Sequence, residues 1–213
     1  MNLNSSRLIP QAWSNAWSTN FFKSRFQLGL IIWIILLIAF PIFFDFIEAR
    51  DGNKIDDYLL KILPVYDVSV ATFLIIWSMF IFLMYRSITS PYLLLLFLWG
   101  FIFLSLSRFL SIYLFPLNPP DQLIELRDPI TNIFYGKKQH FITKDLFYSG
   151  HTSTQFLMYL CFTKKHDKML ALGSTMIIGI LVLVQHIHYS IDVIAAPFMT
   201  YLVYLISKKI TTV

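Results

Sequence analysis

Charge is scarce in this 213-residue chain: Asp, Glu, Lys and Arg make up 14%, against about 25% in soluble domains, while hydrophobic residues reach 57%. Such a composition excludes an ordinary soluble domain and points to an integral membrane protein. Cysteine is nearly absent. The single one, Cys161, lies inside an apolar run, so no intramolecular disulfide can form, the redox compartment leaves no trace in cysteine usage, and the residue reads as a small packing group. No internal repeat, low-complexity tract or Gly/Ser linker divides the chain, and no His-Glu-x-x-His pattern marks a zinc-binding helix.

What is present is a series of apolar runs. Six stretches carry no Lys, Arg, Glu or Asp apart from Asp192, and approach the ~17–25 residues that a spanning helix needs: 26–44, 68–85, 91–107, 148–163, 169–185 and 191–207. The expected fold is therefore an all-α integral membrane protein, a six-transmembrane-helix bundle over residues 26–207 with a tail at 208–213. The first run is too long for a signal-peptide core, and no small-residue cleavage site precedes the charged stretch from Glu48, so it is expected to stay as an anchor. Residues 1–25 place Trp13, Trp17 and Phe21 at spacing four after Pro10, the pattern of an amphipathic helix lying at the membrane interface. Pro41 is expected to kink the first run and Pro64 to mark a helix boundary. Trp99, Phe101 and Phe103 read as packing and lipid-facing aromatics.

Charge asymmetry orients the bundle. If both termini share one side, that side carries Arg7, Lys23, Arg25, Arg86, Lys164, Lys165, Lys168, Lys208 and Lys209 against one acid, Asp167. The positive-inside rule makes it cytoplasmic. The other side receives residues 45–67, with six acids and three bases, and the loop from Arg108 to Asp145, with five bases and four acids. The net charge of +5 is mostly a matter of topology, so no nucleic-acid partner is expected. Tracing the runs in this orientation puts His151, His188 and Asp192 all on the non-cytoplasmic side. Ahead of His151 in the chain lies the longest non-spanning segment, 116–147, with turn chemistry at Asn118-Pro119-Pro120-Asp121 and Arg127-Asp128-Pro129. Long ordered loops are usually functional.

Two histidine motifs stand at the ends of apolar runs: Tyr148-Ser149-Gly150-His151-Thr152 and His188-Tyr189-Ser190-Ile191-Asp192. Ionisable groups at such positions call for a function. Ser149-Gly150-His151 precedes a run, so its amides should face outward at a helix N-terminus, where free N–H groups and the helix dipole favour an anion such as phosphate. Gly150 permits close approach, and His151 beside a bound phosphate could protonate a departing oxygen. His188 and Asp192 are four apart and share a helix face. The carboxylate can hold one imidazole nitrogen and leave the other to attack phosphorus, giving a phosphohistidine. Arg108 closes the third run on the same side and can grip a phosphate, and Asp145 can orient a histidine or meet a cationic headgroup. A metal reading would use His140, His151, His186 and His188, but His186 and His188 point differently on a helix, so no metal and no cofactor is expected.

At these residues the chain resembles the type-2 phosphatidic acid phosphatase superfamily, and within it most the sphingomyelin synthase branch. Residues 145–152, Asp-Leu-Phe-Tyr-Ser-Gly-His-Thr, resemble that branch's Asp-Tyr-Leu-Phe-Ser-Gly-His-Thr, and residues 186–193, His-Ile-His-Tyr-Ser-Ile-Asp-Val, its His-Glu-His-Tyr-Thr-Ile-Asp-Val. Arg108-Phe109-Leu110 through Leu117-Asn118-Pro119-Pro120 resembles its arginine followed by a Leu-Pro-x-Pro turn. Ile187 stands where the branch has glutamate. The resemblance implies six spans, exoplasmic catalysis in what would be a bacterial plasma membrane, and a triad of His151, His188 and Asp192 with His188 as nucleophile. Arg108, Asp145, Tyr148, Ser149, Gly150 and His186 would then line the phosphate. The partners are a phospholipid donor, a lipid alcohol or water as acceptor, and the bilayer itself. The alternative, from another class, is a non-catalytic lipid-binding or lipid-transport protein on the same fold.

Overall fold

A computed structural model describes residues 5–128 and 142–212. Among these residues are eight helices. They are α1 (Ser5–Trp17), α2 (Asn20–Glu48), α3 (Tyr58–Ile62), α4 (Ser69–Ser87), α5 (Pro91–Leu114), α6 (Gly150–Cys161), α7 (Lys165–Val184) and α8 (Ser190–Thr211). Five of them, α2, α4, α5, α7 and α8, are long and apolar enough to cross a membrane. Their outward faces are apolar as well. Ile31, Ile35, Ile38 and Ile42 make a stripe along α2, each more than half exposed, as expected where the surrounding solvent is hydrocarbon.

The fourth apolar run behaves differently from the other five. It forms α6, a helix of 12 residues, about 18 Å long at 1.5 Å per residue, against ~30 Å of bilayer hydrocarbon. Both of its ends are taken up by other geometry: Ser149 is an extended cap at one end, and Phe162 turns extended at the other. α6 is packed centrally, mainly on α7 and α8 and also on α5. At the crossing with α5, a Cβ on Gly100 would fall 2.7 Å from Leu157 Cδ1, so the absence of a side chain there lets the two backbones approach.

Local chemistry sets the helix starts. Thr19 Oγ1 accepts from Phe22 N at 3.4 Å and begins α2, and Pro91 occupies the first turn of α5, where no N–H is missed. The break at Thr19 separates α1 from α2, so Phe21 belongs to α2 and is not on the α1 face that carries Trp13 and Trp17. α1 is docked on the bundle: Trp13 Nε1 donates to Ile88 O at 3.0 Å, and Trp13 and Trp17 pack edge-on against Phe22 and Phe26. Pro41 lies inside a continuous α2, and Pro64 falls after α3, in the stretch before α4.

α5 also departs from the sequence expectation, because it continues to Leu114 and carries Arg108 in its interior instead of at its end. A charge is tolerated within the helix because Asp145 pairs with it. The main core joins Met79 and Leu83 of α4, Phe97 and Leu104 of α5, Leu157 and Met158 of α6, Ala171 of α7 and Ala196 of α8. A second cluster fixes α1 and α2 on α5 through Ala16, Phe22, Leu36, Leu95 and Trp99. At the far end of the bundle from His151 and His188, Arg86 Nη2 donates to the buried Asp167 Oδ1 at 2.5 Å, tying α4 to α7.

Candidate active site

The N-termini of α6 and α8 meet at one place, and the two histidine motifs meet there with them. Ser149 N donates to Asp192 O at 3.1 Å, which joins the motifs through backbone alone. Ser149 Oγ caps α6, accepting from Thr152 N at 3.4 Å and Thr152 Oγ1 at 3.1 Å. At α8 the arrangement is reversed: Asp192, the third residue of the helix, reaches back with Oδ2 to accept from the cap residue Tyr189 N at 3.1 Å. The two helices thus aim the positive ends of their dipoles at a shared point, where an anion is favoured.

His188 Nδ1 lies 3.3 Å from Asp192 Oδ2. Both residues are buried, at 2% and 0% exposure. The carboxylate fixes the ring through Nδ1 and leaves Nε2 as the nitrogen available for chemistry. The His151 and His188 rings stand 6.1 Å apart between centroids, at 64°. His151 Nδ1 and Asp192 Oδ1 are buried without a hydrogen-bond partner, so the cluster holds polar capacity that the protein itself does not use.

Arg108 forms the roof of an adjoining cavity. Its Nη2 donates to Asp145 Oδ1 at 2.6 Å, and its Nε to Tyr148 O at 3.1 Å. Burial by itself would raise the Asp145 carboxyl, but the charge and hydrogen bond of Arg108 outweigh it, with smaller help from His188 and His151, and hold it below the ordinary carboxylate value. Gly150 sits under the guanidinium: a Cβ there would lie 2.2 Å from Arg108 Nη1, so no other residue fits beneath the arginine as placed. Arg108, Asp145, Gly150 and His151 all line a cavity of about 300 Å³. His188 is buried beside His151 and is not among the residues lining that cavity.

The remaining sequence candidates take other positions. Tyr148 is buried in the main core with its hydroxyl 2.5 Å from Ser107 Oγ, so its contribution to the cluster is the carbonyl that holds Arg108. Ser149 contributes the helix cap. His186 turns away: at φ 55° its ring faces a second cavity of about 320 Å³, with Nδ1 3.1 Å from Asp121 O and Nε2 unpartnered. Among the described residues no three His, Cys, Asp or Glu side chains stand together as metal ligands, and His140 lies outside those residues.

Several supports carry no signal in the sequence. Asp57 Oδ2 accepts from Ser190 N at 2.6 Å and Ser190 Oγ at 2.7 Å, and so holds the start of α8 from a loop 133 positions away. Gln185 stitches the end of α7 to α4, donating from Nε2 to Ser69 Oγ at 2.8 Å and accepting from Val68 N at 3.3 Å. Glu48 accepts from Thr143 N at 2.5 Å and Lys144 N at 2.7 Å, which anchors the strand of chain leading to Asp145. Gln155, one turn past His151, was detectable by helical spacing alone.

Among the described residues the fold is that of a multi-pass, helical membrane protein in which the two histidine motifs, Arg108 and Asp145 come together where the starts of α6 and α8 meet. Residues 144–209 match the family model described as PAP2 superfamily C-terminal, less than a third of the chain but the third that contains all of α6, α7 and most of α8. This match supports PAP2 superfamily membership and points to phosphatase or phosphotransferase chemistry on lipid phosphoesters. No curated protein and no solved structure matched the chain.

Proposed function

We propose that this protein is a metal-independent membrane enzyme, similar to the sphingomyelin synthase branch, that cleaves a phospholipid phosphoester on the exoplasmic face through a phosphohistidine. The observation that carries the reading is the buried His188–Asp192 pair standing 6.1 Å from His151 where two helix N-termini converge. A tetrahedral phosphorus seated beside both rings would be within reach of His188 Nε2 and of His151. Arg108 and the free amides of α6 would hold its oxygens.

The reaction runs in two halves. His188 Nε2 attacks phosphorus and forms a P–N bond. The P–O bond to the leaving alcohol breaks, and that oxygen takes its proton from His151. In the second half a lipid alcohol or water gives its proton to His151 and attacks phosphorus, the P–N bond breaks, and both histidines return to their starting state. Asp192 orients His188 and stabilises it as charge develops on the ring. A six-span bundle with both termini in the cytoplasm, as the charge asymmetry favours, would put this chemistry on the outer surface of a bacterial plasma membrane.

The test is turnover by purified protein of labelled phosphatidylcholine, phosphatidylethanolamine and phosphatidic acid, each with and without ceramide or diacylglycerol and with chelator present. Headgroup loss that survives chelation is expected, with a labelled acid-labile adduct on the protein that H188A abolishes. Transfer of label to the added alcohol identifies a transferase, and release to water a phosphatase. Undiminished turnover by H188A would overturn the mechanism, and lipid binding without turnover would favour the non-catalytic reading.

A further inference from the structure

Below the Arg108–Asp145 pair the cavity continues into the bundle, and its lower wall holds a polar group with no evident structural use. Gln155 follows His151 by four residues on α6, so it occupies the same helix face one turn, ~6 Å, deeper. It is 0% exposed and lines the cavity. Its Oε1 lies 3.0 Å from Ser174 Oγ, whose one proton is shared with Ala171 O at 2.8 Å, while Nε2 has no partner. The other two polar side chains at this level are already spent on backbone carbonyls. Thr154 Oγ1 donates to Gly150 O at 2.9 Å, and Ser105 Oγ to Phe101 O at 2.8 Å. A buried amide donor left idle among apolar walls is costly unless something else satisfies it.

Resting on the functional reading above, we propose that Gln155 Nε2 donates a hydrogen bond to a carbonyl oxygen of the acyl linkage of the bound lipid, and so makes the protein selective for acyl over ether lipids. The register fits. With phosphate held by Arg108 beside His151, the few bonds that separate a glycerolipid phosphate from its first acyl ester lead down the cavity to the level of Gln155. Phe40 of α2 and Phe101 and Leu104 of α5 line the same space and suit the first carbons of the chains. A volume of about 300 Å³ is at the small end for ligand pockets, which matches a linkage region whose chains continue outward into lipid. An ester carbonyl and an N-acyl amide carbonyl offer the same acceptor, so glycerolipids and N-acyl sphingolipids both satisfy Nε2. A dialkyl ether lipid offers no carbonyl.

Two measurements test this. In the first, the melting temperature of wild-type protein in detergent is followed with dioleoylglycerol, its di-oleyl ether analogue and N-oleoyl ceramide. The two carbonyl lipids should stabilise it and the ether markedly less. Equal stabilisation by ester and ether overturns the proposal without any variant, and a response to only one of the two carbonyl lipids identifies the source of the linkage. In the second, kcat/KM is compared for matched diacyl and dialkyl phospholipids, in wild type and in Q155M, which keeps the shape and removes the donor. Wild type should favour the diacyl lipid by about tenfold, the worth of one good hydrogen bond, and Q155M should bring that ratio close to one. A Q155M ratio that keeps the wild-type preference would overturn the proposal. Because the melting series needs no turnover, it separates failure of this inference from failure of the enzymatic reading.

Discussion

His151 and His188 stand side by side but are held in unlike ways. His188 is bound to Asp192 through Nδ1, whereas His151 Nδ1 has no partner and its ring lines the cavity. A residue free to turn toward a leaving oxygen suits a proton donor, and a ring fixed by a carboxylate suits a nucleophile. Replacing His151 by Asn should therefore lower turnover of an alkyl phospholipid by roughly 10²–10⁴-fold. The defect should shrink sharply with a p-nitrophenyl phosphoester, whose leaving group needs no proton. Because His151 also serves as base in the second half, which both substrates share, kcat/KM ratios, set by the first half, check this, and an equal loss on both would remove His151 from the acid role. Gly150 belongs to the same scale: its missing side chain is the space that Arg108 occupies.

At the scale of elements, the start of α8 depends on a carboxylate from a distant loop. Burial works against ionisation of Asp57, but the hydrogen bonds from Ser190, with those from Leu60 and Leu59, prevail and hold its carboxyl below the ordinary 3.8. The folded value is thus the lower one, so the stabilisation is complete above the ordinary range and fades as pH falls through the folded value. Asp57→Ala should cost about 1–3 kcal/mol at neutral pH. Melting curves of the two proteins in detergent should converge as pH drops below 4, and a difference independent of pH would dissociate the effect from ionisation. Such supports explain what could be read in the sequence. Apolar runs located every long helix, and short motifs around His151 and His188 located the cluster, because both are local in sequence. The shared helix face expected of His188 and Asp192 is not what pairs them, since His188 lies in the turn before α8 and meets Asp192 from outside the helix. Asp57, Gln185 and Glu48 act on residues 133, 116 and 95 positions away, and no local pattern encodes such pairings. The extent of α5 past Arg108 was hidden for the same reason, since its charge is neutralised by Asp145, 37 positions later.

At the scale of the whole molecule, the short α6 makes the number of crossings a matter for experiment. If it spans, six crossings return the chain to its starting side; if only the five long helices cross, the termini face opposite compartments. Cys161 is buried, so single cysteines can be introduced at exposed positions and labelled with an impermeant maleimide in intact cells and in inverted vesicles. The six-span reading expects Ser18→Cys and Thr212→Cys to label from the cytoplasm and Asn53→Cys from outside. Opposite labelling of the first two would leave five crossings, and reversed labelling of all three would invert the orientation that the charge asymmetry favours.

The backbone bond between Ser149 N and Asp192 O also has a mechanical meaning. It pins α6 and α8 together at the end that carries His151 and His188, much as a compass is pinned at its joint. If one helix tilts against the other, displacement is smallest at the pin and grows along both legs. The spacing of the two rings would then be nearly conserved while the depth around Gln155 widens or narrows, so a lipid could be admitted and released from below without loosening the chemistry above.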